Sequence, residues 1–243
     1  MTQLIRAEIL KARATRSTWI IGAITLLFCS LWTVVTAITD PDLPAGIRVE
    51  NVYQNAQQGY LFALILGILA VSSEYRHQTI SWSFLVTPRR GRVLTAKLLG
   101  LGLVVGAVLA LACVLATVAA AVPSLLAQGL PLTTAAVPAV LLGSALSTIL
   151  YTVLGVAIGA LIRNQVAAVA IAFVWFYYAE FLLIWFVPAV GRWVPSGAAK
   201  AISGWHLETG TLLPAWAGGA VLLGYTGLLC VAAYGLTLRR DVT

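Results

Sequence analysis

Six apolar stretches divide this sequence of 243 residues, and each is long enough to cross a lipid bilayer as a helix. An α-helix of about 20 residues covers the roughly 30 Å hydrocarbon core of a bilayer. The first stretch, residues 19–38, contains no charged side chain. The others lie at about 52–73, 93–122, 137–162, 166–187 and 212–238. The sequence therefore predicts an all-α integral membrane protein, a six-helix transmembrane bundle formed as a single domain by residues 1–243.

The composition of the sequence excludes most classes of soluble protein. Hydrophobic residues make up 60% of the chain and charged residues only 9%, whereas about 25% of the residues in a typical soluble domain are charged. So few charged side chains cannot cover a soluble enzyme, a nucleic-acid-binding protein or a disordered chain. The sequence also lacks a GxxxxGK[ST] loop and an HExxH motif, which are typical of ATP binding and zinc hydrolysis. We therefore expect no catalytic residue, no metal site and no cofactor in this chain.

Lysine and arginine are distributed unevenly between the two sides that six spans define. If the N-terminus is cytoplasmic, the inner segments carry 12 of the 15 basic residues, five of them within residues 74–97. The outer segments carry only Arg48, Arg192 and Lys200. Because cytoplasmic loops are enriched in Lys and Arg, this distribution predicts that both termini are cytoplasmic.

The segment before the first span, residues 2–16, has the pattern of a short basic helix. Ile5, Ile9 and Ala12 share one face at about 100° per residue, although Glu8 lies near that face. Such a helix is expected to lie in the cytoplasmic interface, held by apolar burial and by anionic membrane lipid. The alternative, that these charges only set the orientation of the spans, stays open.

Between the second and third spans, residues 74–87 have the length of about four helical turns before Pro88. One stripe of this segment carries Tyr75, Thr79, Trp82 and Val86, and the other carries Glu74, His77, Gln78 and Ser81. The segment is too polar to span the membrane and too apolar for a simple connecting loop. We predict a cytoplasmic helix that buries one face against the bundle and presents the other to a partner. A lipid-surface helix without a partner is the alternative.

Several segments resemble those of a known family of membrane proteins. The basic start EILKARATRSTW and the loop EYRHQTISWSFLVTPRRGRVLTAKLL resemble the corresponding parts of bacterial type-2 ABC exporter permeases. The later segments RWVPSGAAKAISG, LLPAWAGGAVLLGYTGLL and LRRDVT look like those of permeases common in actinobacteria. Six spans with both termini inside agree with this family, so the resemblance covers essentially the whole chain.

The resemblance implies a set of partners and a location. It implies a multi-pass protein of the bacterial inner (plasma) membrane, in which two permease chains pair as a homodimer or as two related permeases. Two copies of a separate ABC ATPase subunit would bind the pair and hold ATP and Mg²⁺, and nucleic acid is not a partner. The resemblance also implies that the 74–87 helix is the coupling helix at the ATPase contact. The residues placed there are Glu74, Tyr75, Arg76, His77, Gln78 and Thr79.

Glu180 is the ionisable residue that lies deepest within an apolar stretch, about 21 Å along its helix from the cytoplasmic end. A charge near mid-bilayer costs at least about 2.5–3.5 kcal/mol, so we expect Glu180 to avoid lipid. One hypothesis places it on the transport path beside Trp175 and Tyr177, where it would attract a cation or a hydrogen-bond donor. The other is structural, a pair with Arg192 or Lys200 or closure of the helix break that follows.

Two functional hypotheses from different classes follow. The first is the permease subunit of an ATP-driven exporter that moves a hydrophobic or amphipathic substrate outward, such as a drug, an antibiotic peptide or a lipid. The second is a self-contained membrane protein, either a proton-coupled carrier that uses Glu180 or a passive antibiotic-immunity protein. An importer is a weaker third hypothesis. Dependence on a partner ATPase distinguishes the first hypothesis from the second.

Overall fold

The structure is a computed structural model that describes residues 1–39, 42–79, 89–162, 164–205 and 212–239. Within these residues the chain consists of helices joined by turns, without a β-strand, so the predicted all-α membrane fold is confirmed. Six helices in this part of the chain are long and apolar enough to cross a membrane, and we number them spans 1 to 6. They are Arg16–Thr39, Ala45–Arg76, Gly91–Ala127, Val137–Leu161, Gln165–Phe186 and Ala215–Thr237.

Shorter helices precede span 1 and follow span 5. The N-terminal helix, Thr2–Ala14, joins span 1 through Thr15. Two short helices, Pro188–Gly191 and Pro195–Ile202, follow span 5. Each begins with a proline, whose fixed φ angle and missing N–H suit the first position of a helix. The helix of span 6 continues to Arg239.

Span 2 begins earlier than the sequence predicts, before residue 52. Its parts are the α-helix Ala45–Gln54, the 3-10 turn Asn55–Gly59 and the α-helix Tyr60–Arg76. Gln54 and Asn55, where the α-helix meets the turn, are buried and find hydrogen-bond partners within the protein. Gln54 Nε2, for example, donates to the carbonyl of Gly204 at 2.8 Å. The helix continues through this polar stretch because such hydrogen bonds compensate for the loss of water.

Spans 3 and 5 each contain a π-helical segment between two α-helices. In chain order, the parts of span 3 are Arg90–Lys97, Leu98–Val105 and Gly106–Ala127, and those of span 5 are Gln165–Phe173, Val174–Ala179 and Glu180–Phe186. The middle part is π-helical in both spans. Because π-helical hydrogen bonds join residues five apart, Trp175 and Glu180 lie on the same side of span 5.

Spans 2 and 4 form the centre of the bundle and make its most extensive helix–helix contact. In their apolar windows 61% and 72% of the residues are buried, compared with 17% to 28% in spans 1, 5 and 6. Gly155 and Gly159 of span 4 face the backbone of Leu64 and Ile68 in span 2, and a Cβ at either glycine would overlap that backbone. Small residues therefore allow close approach of two helices within one chain.

The N-terminal helix rests on the start of span 3. Gly100 lies directly beneath it, and a Cβ at this glycine would meet the Ile5 carbonyl at 3.1 Å. Glu8 and Ala12 are buried in this contact. The helix is therefore packed against protein along the face on which the sequence predicts contact with the membrane interface.

The predicted helix at 74–87 does not begin at residue 74. The α-helix of span 2 continues to Arg76, and a turn follows in which Gln78 adopts a left-handed conformation with φ of 55°. Residues 74–76 thus form the last turn of span 2, because its helical hydrogen bonds continue past the apolar stretch. Residues 80–88 of the predicted helix lie outside the described residues.

Candidate functional site

Four charged side chains form a cluster where the N-terminal helix meets spans 2 and 3. Lys97 Nζ lies 2.8 Å from Glu8 Oε2 and 2.5 Å from Glu74 Oε1. Lys11 Nζ lies 2.9 Å from Glu8 Oε1 and 3.2 Å from Glu74 Oε1. Lys97 is only 1% exposed. We call these four residues the ionic cluster, and its two positive and two negative charges cancel.

Contacts within the ionic cluster outweigh the effect of burial on the pKa values of Glu8 and Lys11. Burial alone would raise the pKa of Glu8, but the charge and hydrogen bond of Lys97, together with Lys11, hold that pKa below its ordinary value. Burial would also lower the pKa of Lys11, but its hydrogen bond to Glu8 and the charge of Glu74 raise it. The contacts thus favour the charged forms of Glu8 and Lys11, and the cluster fastens the N-terminal helix to the adjoining ends of spans 2 and 3.

The structure separates the predicted ATPase-contact residues into two groups. Glu74 belongs to the ionic cluster, and only 11% of its side chain is exposed. Tyr75 is half-buried. The remaining residues are exposed and form the tip of span 2, namely Arg76, His77, Gln78 and Thr79. Glu74 Oε1 thus makes internal contacts with two lysines, and the predicted contact of this segment with an ATPase stays a prediction.

A cavity of about 580 Å³ lies between spans 1, 2 and 5 and the segment after span 5. Most of its wall is aromatic: Phe28, Trp32, Tyr60, Phe62, Phe173, Phe176, Tyr177, Tyr178, Phe181 and Trp205. Its polar lining comes from Gln57, Gln58, Ser196 and Lys200. We call this space the aromatic cavity. It lies toward the end of the bundle opposite the ionic cluster.

The structure brings only one of the three predicted path residues to the aromatic cavity. Tyr177 lines it and stacks on Phe173, with ring centroids 5.2 Å apart. Trp175 is not part of the lining and is 50% exposed on the surface of span 5. Glu180 is fully buried behind the cavity wall. The aromatic wall predicted around Tyr177 is therefore present, whereas the carboxylate is not on its surface.

Glu180 contacts a backbone amide. Its Oε2 accepts a hydrogen bond from the N–H of Ser196 at 2.7 Å. Ser196 is in the first turn of the helix Pro195–Ile202, where N–H groups lack helical partners and the helix dipole favours a negative charge. Ser196 Oγ lies 3.2 Å from the Tyr151 hydroxyl, which ties span 4 to the same turn.

Of the two hypotheses for Glu180, the structural one is closer to these contacts in its second form, closure of the helix break, and the transport-path role stays a prediction. Neither Arg192 nor Lys200 forms an ion pair with Glu180 among the described residues, whose ion pairs all belong to the ionic cluster. The carboxylate joins span 5 to the helix that follows through the hydrogen bond of its Oε2, whereas its Oε1 is buried without a hydrogen-bond partner.

Two polar residues of the aromatic cavity carry hydrogen-bond donors that sequence reasoning missed. Gln57 Nε2 and Trp205 Nε1 are buried and make no hydrogen bond. Lys200 Nζ lies 5.1 Å from the centroid of the Trp205 ring. The signal in the sequence was the polar pair Gln57–Gln58 near the start of the apolar stretch 52–73.

Comparison with known proteins gives one family match. A family model described as ABC-2 family transporter protein matches residues 4–179. No curated protein matches the chain. The matched range contains the whole ionic cluster and ends one residue before Glu180, so Lys200 and Trp205 of the aromatic cavity lie beyond it.

Proposed function

Because the chain belongs to the ABC-2 transporter family and is a membrane permease component, we propose that it is the permease subunit of an ATP-driven exporter. The family match over residues 4–179 carries this proposal. The cargo would be hydrophobic or amphipathic and would move outward through the bacterial cell membrane. The aromatic cavity is the proposed binding space, since its apolar rings and few polar groups are typical of small-molecule sites.

A separate ATPase subunit supplies the energy in this proposal, with two copies that bind ATP and Mg²⁺. Its proposed contact is the exposed tip of span 2, residues 76–79, on the cytoplasmic side together with both termini. Glu74 lies directly behind this tip and binds Lys97 of span 3 and Lys11 of the N-terminal helix. A displacement of the tip would therefore move three helices together, and shift the bundle between inward-open and outward-open populations.

A second permease chain completes the proposed assembly. Spans 1 and 5 have few buried residues, and their exposed side chains include Trp19, Leu27, Trp185 and Phe186. These faces meet either lipid or a second copy of the chain. A related permease would serve as well as an identical one.

The alternative of a proton-coupled carrier is less well supported. Such a carrier needs a carboxylate that exchanges protons with the transport path. Glu180 is fully buried and bound to the Ser196 amide, and it does not line the aromatic cavity.

The test is expression of the tagged chain with and without the ATPase encoded next to its gene. We expect the ATPase to co-purify, and inverted membrane vesicles to accumulate a hydrophobic dye only when ATP is present. An ATPase variant that cannot hydrolyse ATP is the control and should still co-purify without dye accumulation. Dye accumulation driven by a pH gradient in vesicles without the ATPase would refute the exporter and support the self-contained carrier.

A further inference from the structure

Several hydrogen-bond donors of residues that line the aromatic cavity have no acceptor. The amide Nε2 of Gln57 and the indole Nε1 of Trp205 are both buried without an acceptor, and Gln57 is only 3% exposed. Lys200 contributes an ammonium group to the same lining. No Asp or Glu is present in the lining that the described residues form. Buried donors without acceptors are rare in proteins, so their presence around one cavity points to a missing partner that is rich in acceptors.

Two hydrogen bonds bring the segments that carry the three donors together. The N–H of Trp205 donates to the carbonyl of Lys200 at 3.0 Å, which fixes the tryptophan beside the lysine. One turn of helix before Gln57, Gln54 donates to the carbonyl of Gly204 at 2.8 Å. Span 2 is therefore fastened to the chain immediately before Trp205, and Gln57 lines the same cavity.

Lys200 has the surroundings of a cation without a counter-ion. Its ammonium lies over the Trp205 ring at 5.1 Å, and no carboxylate among the described residues pairs with it. Burial accordingly lowers the pKa of Lys200. Aromatic rings can also hold a ligand cation, but here Lys200 already occupies a ring face and would repel a second positive charge.

We propose that the aromatic cavity binds an amphipathic organic anion. Its acidic head, a carboxylate, phosphate or sulfonate, accepts hydrogen bonds from Lys200, Gln57 and Trp205, and its apolar body packs against the rings of spans 1 and 5. The cavity volume of about 580 Å³ is in the usual range for a small-molecule ligand. This inference names the substrate class of the proposed exporter, and it replaces the cation expected from Glu180.

The experiment measures binding to the full purified chain in lipid nanodiscs, without ATPase or ATP. The probes are 1-pyrenebutyrate and 1-pyrenebutylammonium, which share one apolar body and differ in charge. Energy transfer from tryptophan to pyrene reports binding, and dissociation constants come from its concentration dependence. We expect saturable binding of the anion, at least about tenfold tighter than that of the cation, as hydrogen bonds to a charged group predict.

Variants identify the donors. Lys200→Gln should weaken pyrenebutyrate binding about tenfold, and Gln57→Leu and Trp205→Phe should each weaken it by a smaller factor, whereas Lys200→Arg should retain it. Arg192→Gln is the matched control, because Arg192 is a cation of the same connecting segment that does not line the cavity. Each variant is first checked for native elution and helicity.

Three outcomes would overturn the inference. They are equal or tighter binding of the cation, unchanged anion binding in Lys200→Gln, and non-saturable uptake that is identical in all variants, which indicates partition into lipid. Since the measurement needs no ATPase, a failure of anion binding would leave the exporter proposal intact. Conversely, absence of an ATPase partner would leave the binding result standing.

Discussion

Buried charge occurs toward both ends of the bundle, but it is balanced differently at the two ends. In the ionic cluster two lysines meet two carboxylates, and the net charge is zero. In the aromatic cavity Lys200 and two further donors meet no charged acceptor among the described residues. A balanced cluster needs nothing from outside and holds helices together, whereas an unbalanced group of donors leaves a place for a ligand. The difference assigns a structural role to one end and a binding role to the other.

The family match includes the ionic cluster but only part of the aromatic cavity. All four residues of the ionic cluster lie within the matched residues 4–179, whereas Lys200 and Trp205 lie beyond them. The part of the chain shared with the family model thus contains the fastening of the helices. Cargo preference is expected to depend on the segment that follows.

The largest loss of stability is expected when the ionic cluster loses Lys97, its most buried residue. Lys97→Met leaves the Glu8 and Glu74 carboxylates with only Lys11, and removal of one partner of a buried ion pair costs about 3–5 kcal/mol. Unfolding in mixed micelles measures this loss. Lys11→Met is the matched control and should cost far less, because 46% of the Lys11 side chain is exposed. Equal losses in the two variants would contradict a cluster centred on Lys97.

A smaller loss of stability is expected when the hydrogen bond between Glu180 and the Ser196 amide is removed. Glu180→Leu leaves the Ser196 N–H without an acceptor and should cost about 1–3 kcal/mol of stability. Glu180→Gln keeps an oxygen acceptor and loses only the attraction of the charge to the helix dipole, about 1 kcal/mol or less. Both are measured by the same unfolding assay. Recovery of stability in the double variant Glu180→Gln/Arg192→Gln would contradict the helix-capping contact. It would indicate an ion pair between Glu180 and Arg192 instead.

Docking of the ATPase should respond to the exposed tip of span 2. Arg76→Glu is expected to lower the affinity for the ATPase about tenfold while the free energy of unfolding stays unchanged, since a charge-assisted hydrogen bond is worth about 1.5–3 kcal/mol. A pull-down titration measures the affinity. Arg6→Glu, the same change on the exposed face of the N-terminal helix, is the control. Glu74→Arg should act differently and impair folding, because it places a third positive charge beside Lys97 and Lys11.

The smallest effect is the dependence of stability on pH. The lowered pKa of Glu8 means that its stabilisation is present above the ordinary value of 4.5 and is lost as the pH falls through the lowered pKa. The raised pKa of Lys11 means that its stabilisation is present below 10.5 and is lost as the pH rises through the raised pKa. The melting temperature should therefore reach a plateau between these limits. Glu8→Gln should weaken the decline at acidic pH, and an unchanged decline would contradict the role of Glu8.

The sequence was sufficient for the spans but not for their polar contacts. Apolar length alone predicts six membrane helices, because the bilayer sets the length of each. In the sequence, Glu8 is a charged residue that interrupts the apolar face of the N-terminal helix. Its partner Lys97 is 89 residues away, so no local pattern indicates their contact. The partner of Glu180 was beyond prediction for another reason: it is a backbone amide, and no side-chain type marks it. The first turns of span 2, before residue 52, were missed because their charged residues Arg48 and Glu50 find partners far along the chain.

The separation between Glu8 and Lys97 also has a consequence for biosynthesis. A ribosome adds about 5–20 residues per second, so roughly 4 to 18 s pass between the synthesis of these two residues. During this interval the N-terminal helix has no third span to rest on, and its exposed basic residues and apolar face suit attachment to the lipid surface. Once Lys97 is present, its ammonium can pair with Glu8 as in the folded structure. We therefore expect contact with lipid and contact with span 3 to be two successive positions of the same nascent helix.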